Sequence, residues 1–149
     1  MKKALALVSV ISLLFSTGFD TQDGAPIRQG VHIEWYRTVA PGSNGEAVFV
    51  WSDTRYGMRN IFAHKIDQNG QLLWGEQGAV VTDLPGRQED PVAITDGSGG
   101  VFIAWVDYRF DEQGDIFIQH LNSDGETLMD DNGIACLLYT SDAADEYDR

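Results

Sequence analysis

The strongest hint of chemistry in this sequence lies in two pairs of charged residues, Asp53 with Arg55 and Asp107 with Arg109. A carboxylate beside a guanidinium can serve as a base held by an arginine clamp. It can equally be a charge-assisted hydrogen-bond pair that ties a strand end to its neighbour. Each pair follows a tryptophan, in Trp51-Ser52-Asp53-Thr54-Arg55 and Trp105-Val106-Asp107-Tyr108-Arg109, 54 residues apart. A catalytic centre is needed once, whereas an architectural contact is needed in every repeat. Recurrence therefore assigns both pairs to architecture, and Trp51 and Trp105 to packing rather than to a sugar-stacking platform. Trp35 and Trp74 have no tryptophan counterpart and are freer to serve a ligand, but core or inter-repeat packing is the expectation for both.

Other ligand sets are incomplete. His32, His64 and His120 form no His-x-x-x-His or Glu-x-x-His spacing, so a zinc site is not expected. Asp107, Asp111, Glu112 and Asp115 gather in one loop with Gly114, and such oxygen-rich loops suit calcium. Their spacing does not follow that of an EF-hand loop, however. The matching stretch of the first copy, Asp53, Thr54, Gly57, Arg59 and Asn60, is far less acidic. A solvated acidic loop is the expectation, with calcium at Asp107, Asp111 and Asp115 as the open alternative. No Ser-His-Asp set, phosphate loop or Cys-His pair can be assembled. No catalytic, cofactor-binding or metal-binding residue is assigned, and no cofactor is expected.

The elements that must position these residues form a repeat. Glu46-Ala47-Val48-Phe49-Val50-Trp51 aligns with Gly100-Val101-Phe102-Ile103-Ala104-Trp105 at a spacing of 54. Asn60-Ile61-Phe62 aligns with Asp115-Ile116-Phe117, and Asp67-Gln68-Asn69-Gly70 with Asn122-Ser123-Asp124-Gly125, at a spacing of 55. Arg28-Gln29 and Arg87-Gln88 open the two copies. Each copy reads as four short strands: Val31–Arg37, Ala47–Ser52, Ile61–Ile66 and Leu72–Val81, then Val92–Thr95, Val101–Val106, Ile116–Leu121 and Thr127–Ala135. Asn-Gly and Asp-Gly pairs between them supply the positive φ that tight hairpins demand. No stretch after the leader shows a helical period, so the chain is all-β. The second strand of each copy is continuously apolar, which predicts cover on both faces. A four-stranded antiparallel sheet repeating every ~50 residues and covered on both faces predicts a β-propeller blade, and two blades make a truncated propeller. An open stack of small sheets, or one sandwich built from both copies, is the alternative.

Composition restricts the rest. Of 149 residues, 43% are apolar and 22% charged, enough for a packed core. A net charge of −13 argues against a grip on nucleic acid or anionic membrane, since both require clustered Lys and Arg. A single cysteine excludes a disulfide framework. Lys2 and Lys3 before the apolar run Ala4–Phe15, with small residues to Gly18, predict a secretory signal peptide over 1–18 and no stable membrane insertion after its cleavage. The first repeat with its lead-in is expected over 19–82 and the second over 83–135. The string from Cys136 to Glu146 is similar to a translation of transposase-adapter DNA, which marks 136–149 as a tail outside the native reading frame.

The run Gly24-Ala25-Pro26-Ile27-Arg28-Gln29-Gly30-Val31-His32-Ile33-Glu34-Trp35, followed by the Trp-x-Asp-x-Arg copies, resembles long secreted bacterial propeller-repeat proteins. These often end in a type IX secretion-sorting domain. The resemblance implies export and a multi-blade propeller but no activity. The turns at Asp67-Gln68-Asn69-Gly70 and Asn122-Ser123-Asp124-Gly125 are similar to the Asp-box turns of sialidase-type propellers but lack their serine-to-tryptophan spacing, so they read as plain hairpins. The expected function is that of an exported, non-enzymatic interaction module, secreted or at the cell surface, for a protein or a glycan. The alternative is part of a secreted propeller hydrolase acting on polysaccharide, with its catalytic residues elsewhere.

Overall fold

The computed structural model describes residues 34–137. The expected signal peptide over 1–18, the lead-in with His32 and residues 138–149 lie outside the described residues. Eight strands follow in chain order: β1 Glu34–Pro41, β2 Ala47–Asp53, β3 Asn60–Ile66, β4 Ala79–Thr82, β5 Gln88–Thr95, β6 Val101–Asp107, β7 Asp115–Leu121 and β8 Ile134–Leu137. They make two four-stranded antiparallel sheets, ordered β1-β2-β3-β4 and β5-β6-β7-β8, with one 3-10 turn at Ser43–Gly45. The molecule is all-β, as its periodicity predicts.

Hairpin chemistry sets the register. Asp67 Oδ1 accepts from the amides of Asn69 and Gln71, each at 2.8 Å, and Gly70 turns the chain at φ 78°. In the second sheet Asn122 Oδ1 accepts from Asp124 and Glu126, each at 2.9 Å. One side-chain oxygen thus closes each turn by satisfying two amides. These turns set the Ile66–Leu72 and Leu121–Thr127 bridges. The central pairs, joined by the separate loops 54–59 and 108–114, match in both sheets, Trp51 opposite Phe62 and Trp105 opposite Phe117.

The outer strands depart from the sequence expectation. Leu72–Val81 is not one strand: Leu72 makes a single bridge to Ile66, and pairing resumes only at Ala79. The second copy behaves alike, with a bridge at Thr127 and a strand from Ile134. Of the apolar residues in these intervals Trp74 packs against the neighbouring sheet, whereas Leu72, Leu73 and Leu128 are exposed, so hydropathy here does not report strand. The first strand of each copy also runs differently, β1 reaching Pro41 and β5 starting at Gln88. Gln88 and Glu89 are polar yet buried, because they hydrogen-bond to the first sheet. Positive φ at Tyr36 and Asp90 accompanies a register shift in each of these strands. β8 ends at Leu137, two residues into the adapter-like string, with its residues all exposed.

The sheets stack with one face of the first on the opposite face of the second. Val48, Val50, Ile61 and Ala63 join Val101, Ile103, Trp105 and Phe117 in one core. β5 runs closest to the first sheet, alongside β1 and then β2 and β3. Polar links fasten the seam. Asn60 Nδ2 donates to Gln88 Oε1 at 2.9 Å, and Lys65 Nζ donates to Gly99 O at 3.0 Å while pairing with Glu46. Trp74 Nε1 donates across to Ser123 O at 2.9 Å. Its ring lies so close to Gly125, where φ is +84°, that a Cβ there would stand 2.8 Å from Trp74 Cδ2.

Candidate functional site

The two Trp-x-Asp-x-Arg sets end β2 and β6, where the strand delivers its last side chain inward and the loop turns back over it. Asp53 and Asp107 are fully buried. The indole N–H of Trp51 donates to Asp53 Oδ2 at 2.9 Å, and that of Trp105 to Asp107 Oδ2 at 2.8 Å. Arg55 Nη2 lies 2.6 Å from Asp53 Oδ2, and Arg109 Nη2 lies 2.5 Å from Asp107 Oδ2. The arginine amide closes the loop onto Oδ1, at 2.9 Å in the first copy and 3.0 Å in the second.

Each guanidinium makes further contacts beyond its carboxylate. Arg55 lies 3.6 Å from the ring centroid of Phe62, and Arg109 lies 3.9 Å from that of Phe117. Arg55 donates to Gln77 O at 3.1 Å and Arg109 to Asn132 O at 3.0 Å, which pins the outer connection of each sheet to its central hairpin. Burial by itself would raise the Asp53 carboxyl. The hydrogen bonds from Arg55 and Trp51, with the arginine charge, outweigh it and hold the group below its ordinary value. A carboxylate so saturated has no lone pair directed at a substrate. Both pairs tie a strand end to its own loop at matching repeat positions, with one difference: Arg55 Nε also donates to Asp53, whereas Arg109 Nε is buried without a hydrogen-bond partner among the described residues.

The tryptophans divide. Trp51 and Trp105 are buried, and Trp74 is packed between the sheets. Trp35 departs from the expected packing: it is 40% exposed on edge strand β1, with Arg59 stacked 4.4 Å from its ring centroid. Arg59 in turn pairs with Glu89 of the second sheet. The histidines stay apart in function. His64 is buried with Nε2 donating to Gly75 O at 2.7 Å, whereas His120 Nε2 lies 2.8 Å from Asp96 Oδ2.

The acidic loop is not uniformly solvated. Asp107 and Asp115 are buried and face each other across β6 and β7, while Glu112 is exposed. The strand register draws the loop's two ends inward, which sequence spacing alone does not convey. Asp111 Oδ1 accepts from the amides of Gln113 at 2.9 Å and Gly114 at 3.0 Å. Among the described residues no group of three His, Cys, Asp or Glu side chains is placed to hold a metal ion.

What the fold does assemble is a groove of about 480 Å³ at the loop end of the seam, lined by Met58, Gly86, Arg87, Tyr108, Asp111 and Glu112. Arg87 lies 4.0 Å from the Tyr108 ring centroid. The groove draws on the β2–β3 loop, the inter-sheet connection and the β6–β7 loop. It therefore brings the Arg87 cation and Met58 to the aromatic ring and two carboxylates of the β6–β7 loop. The sequence marked Arg87 and Tyr108 only as repeat positions, at the opening of the second copy and within Trp105–Arg109, because no motif joins them into one site. The chain was compared with known protein families, curated proteins and solved structures, and none matches. Among the described residues no helix is long and apolar enough to cross a membrane.

Proposed function

We propose that the two sheets are blades of a β-propeller in an exported, non-enzymatic repeat protein, which acts outside the cell or at its surface as an interaction module for a protein or glycan. One observation supports the non-enzymatic part: both Asp–Arg pairs are engaged in closely similar hydrogen-bond networks, each tied to tryptophan, backbone and aromatic ring. The blade reading is supported by the face-to-opposite-face stacking of two repeat-related sheets, with β5 beside β1. Export is supported by the leader pattern at Lys2, Lys3 and Ala4–Phe15.

The groove beside Arg87 and Tyr108 is the contact site of this reading. Arrays of soluble polysaccharides and extracellular proteins, probed with the full chain and with Arg87→Ala, test it. Binding that Arg87→Ala weakens about tenfold is expected, with no release of reducing ends from any polysaccharide. Hydrolysis of a polysaccharide by the purified chain would replace the module with an enzyme. Retention of the chain in the cytoplasm of its bacterial host would remove export.

A further inference from the structure

Among the described residues the stack has two uncovered ends, and they are the two halves of the interface already present inside it. Val48, Val50, Ser52, Ile61, Ala63 and Lys65 face the second sheet and are no more than 4% exposed. Their counterparts on the second sheet, Phe102, Ala104, Val106, Ile116, Ile118 and His120, are only half-buried. Beside them Val92 and Ile94 are 62% and 68% exposed. With Phe102, Ala104 and Ile118 they line a shallow apolar groove of about 280 Å³. The opposite end shows the converse. Val101 and Ile103 are fully buried against the first sheet, whereas Ala47 and Phe49, which hold the same repeat positions, are half-buried. Val80, paired with Phe62 on that side, is 38% exposed.

We propose that the Val92–Ile94–Ile118 face is a docking surface for the Phe49–Val80 face of a second copy of this chain, which seats its first sheet as the second sheet is seated within one molecule. The internal seam specifies the occupant: it records which face of this repeat covers which. Apolar patches of this kind are uncommon on soluble monomers, and burial of this one follows the geometry that the chain already uses. The contact is heterologous, so copies add head to tail and close into a ring where their rotation allows. Blades number four to eight in closed propellers, so two to four copies of this two-sheet unit would complete a ring. This inference rests on the blade reading above.

Sedimentation velocity of the full chain across a concentration series tests it, together with Ile94→Glu and Phe49→Glu, each checked for wild-type melting. Val80→Glu stands in where Phe49→Glu lowers the melting temperature. The wild type is expected to form concentration-dependent oligomers, and each single variant is expected to weaken assembly at least tenfold. A mixture of the two variants regains one intact interface and stops at a heterodimer. Oligomers abolished by Ile94→Glu but untouched by both first-sheet variants are symmetric, and overturn head-to-tail docking while leaving the blade reading in place. A monomer with one sharp cooperative melt at every concentration overturns both. Oligomers that Ile94→Glu leaves unchanged overturn the surface.

Discussion

Trp105 shows how one side chain serves both a sheet and its seam. It is 1% exposed, its ring lies 6.2 Å from Phe117, and its N–H is spent on Asp107. Trp105→Ala is expected to cost about 3–5 kcal/mol, the range for a large aromatic removed from a core. A denaturant melt measures it, and an unchanged midpoint would contradict the core assignment. Asp53 adds a pH-dependent share. Its folded-state value is held below the ordinary 3.8, so it stabilises fully above that pH and the share is lost as pH falls through the lowered value. Asp53→Asn is expected to lower stability at pH 7 by about 1–3 kcal/mol, since a buried guanidinium loses its charged partner. The same variant is expected to lose less further stability than the wild type between pH 5 and pH 3. Urea melts at the three pH values compare them, and parallel losses would place the acid sensitivity elsewhere.

At the scale of elements, central strands and edge strands have different burdens. β3 is buried at every position, β6 and β7 at alternate ones, and β8 at none. Exchange of amide hydrogens follows openings whose cost grows with the contacts broken. The centres of β3, β6 and β7 are therefore expected to exchange slowest and β8 fastest, by several orders of magnitude, in a native-state exchange experiment. Equal protection of β8 and β7 would mean that β8 is held by something beyond its pairing with β7. These differences also explain what was legible. Ala47–Ser52, Ile61–Ile66, Val101–Val106 and Ile116–Leu121 match their strands to within a residue at either end, because apolar runs between glycine turns admit little else. Leu72–Val81 misled because Trp74 is apolar for the sake of the neighbouring sheet, and polar Gln88 and Glu89 hid the start of β5 for the same reason.

For the whole molecule, net charge opposes the association that the bare faces favour. Copies carrying −13 repel one another, and raising ionic strength from about 0.01 M to about 0.15 M shortens the Debye length from about 30 Å to about 8 Å. Association is therefore expected to strengthen severalfold over that range, as read by sedimentation. Weakening with salt would mean that ion pairs, and not apolar burial, hold the copies together. What the sequence determined by itself was local and periodic: strand positions, hairpin turns, the repeat, and the pairing of Asp53 with Arg55 and of Asp107 with Arg109. Each depends on spacing along one chain, which a repeat displays twice. Only the tertiary structure decided which faces are covered. Continuous apolarity predicted cover on both faces of β2 and β6 alike, and β2 is nearly closed, whereas β6 alternates between buried and half-buried. The groove at Arg87 and Tyr108 has the same origin. Hydropathy records what a residue can bury, but burial itself requires a second surface, and the stacking of the two sheets alone supplies it.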